Sequence, residues 1–239
     1  MFSTANGIRL YYERFNGESE DTTVLLHGWG ADCTAMRGIY SFLSAQGKSV
    51  LMLDLPFFGK SDPPPESFGI YEYAETVRLF LQTLGLSKVN LVGHSFGGRI
   101  ALILAAKDKT VNKTVLVDAA GLKPKRSLKY HLKVLIYKLK KRLRIRFKKA
   151  GSFDYNALPD FMKPVFVRVV NTHLDKILVL IECPVLLVWG ENDRDTPLYM
   201  ARKMHRTLKD SGLVVLKEAG HFAFLDKPNE FHAIIDAFL

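Results

Sequence analysis

Gly93-His94-Ser95-Phe96-Gly97 sets one hydroxyl between two small residues, where the pattern changes from extended to helical. Asn90-Leu91-Val92 before it reads as a strand, and Arg99 to Ala106 after it as a helix. A sharp strand-to-helix turn pushes a serine Oγ out of a sheet, and flanking glycines let the backbone pass in a strained conformation. The helix that starts there aims its N-terminal N–H groups at the oxygen of a reacting carbonyl. A serine hydroxyl attacks poorly until a base takes its proton. Gly220-His221-Phe222, after the last extended run, supplies a histidine in the right place to be that base. A carboxylate must then fix the imidazole tautomer and stabilise the imidazolium. Within Gly190-Glu191-Asn192-Asp193-Arg194-Asp195-Thr196-Pro197, Asp193 is assigned that role, giving the order serine, acid, histidine along the chain. Asp118 also closes an extended run and is the rival, while Glu191 and Asp195 read as structural neighbours.

A tetrahedral intermediate needs two donors for its oxyanion. The backbone N–H of Phe96 follows the nucleophile, and the N–H of Trp29 in His27-Gly28-Trp29-Gly30 is the second candidate. Gly28-x-Gly30 after a strand resembles part of a dinucleotide fingerprint, but Cys33 stands where the third glycine belongs, and no Walker A sequence is present. No cofactor is expected. With no C-x-x-C pair and no H-E-x-x-H, no metal site is expected either. Of the other histidines, His94 is read as shaping the turn beside Ser95 and His27 as bonding locally. His131, His173, His205 and His232 are read as surface or packed residues.

These side chains need a scaffold. Apolar runs at Ile8–Phe15, Thr22–Leu26, Ser49–Leu53, Val89–Val92, Lys113–Val117, Pro184–Trp189 and Leu213–Leu216 predict strands, most of them buried on both faces of a parallel sheet. Helical spacing occupies Glu72–Leu84, Phe96–Ala106, Leu198–Leu208 and Asn229–Phe238. Strands alternating with helices predict an α/β architecture. A helical, basic insert from about 122 to 180 interrupts the rhythm, leaving 1–121 and 181–239 as the core.

Taken together, the His27-Gly28-Trp29-Gly30 loop, Asp54-Leu55-Pro56-Phe57-Phe58-Gly59-Lys60-Ser61-Asp62, the serine turn, the Gly190–Pro197 segment and Gly220-His221-Phe222 resemble the α/β-hydrolase superfamily, in its order and from about residue 20 onward. Phe57 departs from the pattern, because the family usually has glycine there. The resemblance implies an α/β-hydrolase fold, a mostly parallel sheet flanked by helices, with a short helical cap where the basic insert lies. Serine rather than aspartate at position 95 argues against dehalogenase and epoxide hydrolase chemistry. The expected reaction is cleavage of an acyl ester in a small-molecule substrate through an acyl-enzyme on Ser95. The alternatives are a carbon–carbon bond hydrolase of diketone-like substrates using the same triad, and a low-turnover ligand-binding receptor or scaffold.

The 239 residues carry a net charge of +10. Thirteen Lys or Arg and no Asp or Glu fall between 123 and 149, leaving 21 basic residues against 24 acidic ones elsewhere. Leu128, Leu132, Leu135, Ile136, Leu139, Leu143 and Phe147 recur at helical spacing within that stretch, so it reads as a basic amphipathic helix. Its plain role is a lid with a solvated basic face. Its sharper role is to draw anionic substrates or a membrane surface to the entrance, giving peripheral membrane contact. No nucleic-acid recognition module accompanies the charge. The first residues lack a basic and apolar leader, the apolar runs are too short to span a bilayer, and two separated cysteines suggest free thiols, so a cytoplasmic location is expected.

Overall fold

The computed structural model describes residues 1–125 and 153–239. An eight-stranded sheet runs through it: β1 (Phe2–Ala5), β2 (Ile8–Phe15), β3 (Thr22–Leu26), β4 (Val50–Leu53), β5 (Val89–His94), β6 (Val111–Val117), β7 (Val185–Gly190) and β8 (Ser211–Leu216). Their spatial order is β1-β2-β4-β3-β5-β6-β7-β8. β2 pairs antiparallel with both β1 and β4, and every later pairing is parallel. The mostly parallel sheet expected from the sequence is present, with one strand more than the seven predicted.

Successive residues of a strand point to opposite faces, and here both faces are covered. Val24, Leu26, Leu91, Leu116 and Leu187 feed one core cluster; Leu25, Val92, Val115, Val117 and Val188 feed the other. The first cluster takes in residues of α2 (Ile70–Thr83), α3 (Phe96–Lys107) and, after α4 (Phe153–Ala157), of α5 (Met162–Asn171) and α6 (Tyr199–Thr207). The second takes in α1 (Arg37–Ala45), α7 (Ala223–Asp226) and α8 (Pro228–Phe238). Burial on both sides is why Val24–Leu26 of β3, Val50–Leu53 of β4 and Leu91-Val92 of β5 read as apolar runs. At the sheet edge β8 is only half-buried.

α8 ties late residues to early ones. His232 stacks on Phe42 at 4.2 Å. The Lys48 Nζ donates to Asp236 at 3.1 Å, and the Lys113 Nζ donates to the carbonyl of Phe238 at 2.7 Å.

Register brings the carboxyl ends of the parallel strands level. Leu26 lies beside Leu53 and Gly93, His94 beside Val117, and Val117 beside Val188. His27, Ser95 and Asp118 emerge at that rim, where ligands bind in open α/β sheets.

The expected insert leaves the sheet after β6. The N–H of Leu174 donates to the carbonyl of Gly121 at 2.8 Å, so the two ends of the excursion meet. α5 and a 3₁₀ segment at Asp175–Leu180 form its later part. The basic amphipathic stretch predicted over Leu128 to Phe147 lies outside the described residues. No helix among the described residues is long and apolar enough to cross a membrane.

Candidate active site

Ser95 links β5 to α3 with φ 48° and ψ −105°, a left-handed backbone that a non-glycine residue adopts only when its surroundings impose it. The surroundings are tight. The Ser95 N–H donates to the carbonyl of Val117 at 3.1 Å, and the N–H of Ala120 donates to the Ser95 carbonyl at 3.0 Å. Gly97 donates its N–H to the carbonyl of His27 at 3.1 Å, and a side chain there would collide with the carbonyl of Leu26. At Gly93 a Cβ would stand 2.7 Å from the carbonyl oxygen of Gly97. The glycines on either side of the serine are thus demanded by backbone approach.

Across from it, His221 sits on the loop after β8. Its Nε2 is 3.0 Å from Ser95 Oγ, and its Nδ1 is 3.0 Å from Asp193 Oδ2. Asp193 is buried. Its Oδ1 accepts from the N–H groups of Asp195 and Thr196 at 2.8 and 3.0 Å, and its Oδ2 accepts from the Thr196 hydroxyl at 2.5 Å. Burial alone would raise the Asp193 carboxyl, but the bonds from His221 and Thr196 outweigh it and hold the group below the usual carboxylate range. For His221, burial opposes the charged form, yet hydrogen bonding and charge from Asp193 raise it above the ordinary histidine value.

Asp118 is brought near but used differently. Its Oδ1 accepts the N–H of Gly190 at 2.8 Å and its Oδ2 accepts the N–H of Ala223 at 3.1 Å, so one carboxylate braces the loops that carry Asp193 and His221. Burial pushes it up to about 7, against those two bonds. It makes no hydrogen bond to the imidazole of His221. His94, driven down to about 4 by burial, donates its Nε2–H to the carbonyl of His221 at 2.8 Å and pins the histidine loop. His27 does more than bond locally. Its Nδ1–H donates to the carbonyl of Gly28 at 2.8 Å, while its Nε2 accepts the N–H of Leu55 at 2.9 Å, coupling two loops at the rim.

A cavity of about 400 Å³ opens over Ser95 and His221. Trp29 and Phe96 line it from the core, Phe166, Val169 and Val170 from α5, and Phe222 from the histidine loop. The Trp29 ring meets Phe58, Phe96 and Phe166 edge-on at 5.0, 5.0 and 5.1 Å. Phe96 is the first residue of α3, so its N–H is one of those a helix leaves without an intrahelical partner. Asp193, Asp195 and His221 place three possible metal-ligand atoms within 4.8 Å of one another. The His221 and Asp193 atoms are hydrogen-bonded to each other, which is poor preparation for holding an ion.

Two residues of the site escaped sequence reading. Thr196 orients Asp193, and the signal for it was the Asp-x-x-Thr spacing, in which a carboxylate commonly caps the N–H two and three residues on. Arg99 lines the cavity, and the signal was a cation in the first turn of a helix that then runs apolar from Ile100 to Ala106.

A family model described as the alpha/beta hydrolase fold matches residues 22–163, and one described as TAP-like protein matches 169–239. The hydrolase YugF of Bacillus subtilis is 28% identical, over 94% of this chain and 92% of its own. A 2-hydroxy-6-oxononadienedioate/2-hydroxy-6-oxononatrienedioate hydrolase of Pseudomonas putida is 26% identical, over 97% of this chain and 92% of its own. Among solved structures, an esterase from Exiguobacterium antarcticum is 26% identical and superposes with a TM-score of 0.80, covering 99% of this chain and 98% of that one.

Proposed function

The chain belongs to the α/β-hydrolase fold family, and on that premise we propose that it is a serine hydrolase cleaving a carboxylic ester through an acyl-enzyme on Ser95. One observation carries the reading: the two 3.0 Å links that run from Ser95 Oγ through His221 to Asp193. As Oγ bonds the carbonyl carbon, His221 Nε2 takes its proton, and Asp193 stabilises the imidazolium. The oxyanion lies toward the backbone N–H groups of Phe96 and Trp29. Collapse of the intermediate breaks the bond to the alcohol oxygen, which leaves with the proton from His221. Water then attacks the acyl-enzyme with His221 as base, releasing the acid and restoring Ser95. Likeness to an esterase structure supports the ester reading. Likeness to the Pseudomonas putida hydrolase keeps a second one in view, in which the same residues cleave a carbon–carbon bond beside a ketone.

A fluorophosphonate probe and two substrate panels test this. The protein should be labelled at Ser95 and should hydrolyse p-nitrophenyl esters faster than diketones. Ser95→Ala should abolish labelling and turnover while changing stability by no more than about 0.5 kcal/mol, since the residue is only partly buried and packs little. Labelling of Ser95→Ala at another serine would overturn the assignment. Faster turnover of diketones would select the carbon–carbon reading, and an unlabelled, inert wild-type protein would leave a ligand-binding scaffold.

A further inference from the structure

Arg99 is the one buried Lys or Arg side chain among the described residues. It lies on α3 one turn after Ser95, and both line the cavity. Its Nη1 donates to the carbonyls of Val169 and Thr172 at 3.1 and 2.8 Å, the C-terminal end of α5. Those two carbonyls are all it bonds among the described residues. The buried carboxylates are engaged elsewhere: Asp54 on the N–H groups of Cys33 and Lys60, Asp118 on Gly190 and Ala223, Asp193 on His221 and Thr196. A helix C-terminus supplies only about half a negative charge, so positive charge is left over on the Arg99 side of the pocket, beside Phe166, Val169 and Val170. Burial lowers the guanidinium to about 10, which leaves it charged at neutral pH. Asp195 lines the same cavity beside His221 and repels an anion at that side.

We propose that Arg99 is a specificity-determining residue that receives a carboxylate of the substrate, so that the preferred substrates are esters whose acyl part ends in a free carboxylate, such as half-esters of short dicarboxylic acids. The proposal rests on the hydrolase reading above. An arginine fork suits a planar carboxylate, and residues one helical turn apart have Cβ atoms about 5–6 Å from each other. Both side chains line one cavity, so a short acyl chain held at Ser95 can present a terminal carboxylate to Arg99. The opposed charges of Arg99 and Asp195 set the direction of binding, carboxylate under α5 and alcohol outward.

The test compares monomethyl glutarate with methyl pentanoate, which differ chiefly in the terminal carboxylate. In the wild-type protein kcat/KM for the half-ester should exceed that for the neutral ester about tenfold or more, the range of a charge-assisted hydrogen bond. In Arg99→Gln the ratio should fall to near one, mainly through KM for the half-ester. Arg99→Lys, which keeps a donor for the α5 carbonyls, should fold if Arg99→Gln does not, and should lose part of the ratio. Binding of both esters to Ser95→Ala, by calorimetry, gives the same comparison without turnover: the half-ester should bind more tightly, and a second substitution Arg99→Gln should remove the difference. Equal losses for the two esters in the Arg99 variants would show a residue that only clasps α5, and would overturn the proposal. Fluorophosphonate labelling separates the two readings. A labelled protein with no carboxylate preference sinks the Arg99 proposal alone; an unlabelled protein that still prefers the half-ester through Arg99 sinks the hydrolase reading alone.

Discussion

At the scale of single residues, two aspartates that sequence order left in competition are separated by what they touch. Asp193 meets the imidazole and Asp118 meets two backbone N–H groups. Asp193→Asn should therefore lower kcat by as much as about 10⁴-fold by favouring the wrong tautomer. It should also move the acid limb of the kcat/KM profile. His221 must be neutral to act as base, so activity rises with pH through its folded pKa. Asp193 holds that pKa up, and its loss as a charge should shift the limb to lower pH. Stability follows the same linkage. The raised His221 pKa stabilises the fold below the unfolded histidine value, and this is lost as pH rises through the folded one. The lowered Asp193 pKa stabilises it above the unfolded carboxyl value, and this is lost as pH falls through the folded one. Asp118→Asn sets an amide NH₂ against one of two N–H donors. It should cost about 1–3 kcal/mol in a denaturant titration and far less turnover than Asp193→Asn. Side-chain type and order along the chain made the Ser95–His221–Asp193 grouping legible in sequence. The bracing roles of Asp118, His94 and His27 were not, because each depends on backbone groups tens of residues away. Phe57 shows the same limit: it departs from the usual glycine yet adopts the glycine-like φ of 79°, with its ring packed edge-on against Phe58 and Phe161.

At the scale of elements, the turn between β5 and α3 depends on how closely α3 approaches β3. Gly97→Ala drives a methyl into the carbonyl of Leu26. Neither partner is a flexible side chain, so the loss should reach the upper part of the range for overpacking, about 3 kcal/mol, read as a lower thermal midpoint along with lost labelling at Ser95. The buried parallel strands were legible because doubly covered strands must be apolar throughout. β1 was missed: it has four residues, only one of them buried, and its pairing with β2 rather than its composition makes it a strand. α1 was missed as well, since Gly38 and two serines dilute its periodicity, although Ile39 and Leu43 bury the expected face. The starts of β6 and β8 lie two residues before the apolar runs, because Val111 pairs with Val89 across an irregularity at Asn112, and Ser211-Gly212 pair with Val185-Leu186.

At the scale of the whole molecule, charge is distributed unevenly, with thirteen cations and no anion between 123 and 149. A field from that segment would act over a Debye length, roughly 8 Å at physiological salt, on encounter and not on chemistry. For an anionic ester, kcat/KM should fall as salt rises while kcat stays level, and neutralising Lys140, Lys141, Arg142 and Arg144 should flatten the slope. Equal salt responses for anionic and neutral esters would leave these residues as a solvated face. Vesicles of anionic and of neutral lipid distinguish a small-molecule partner from a membrane surface. The order of the strands has a consequence of another kind. Ser95 and six of the eight strands precede residue 118, whereas the histidine that faces it comes 126 residues later, after β7 and β8. A chain emerging from the ribosome thus carries its hydroxyl through 126 further residues before the histidine that faces it is made. His221 follows β8, whose pairing with β7 carries the histidine loop to the rim beside Ser95. On the proposed reading the serine has no base until His221 is in place, which spares the half-made protein from acylating itself on whatever ester it meets.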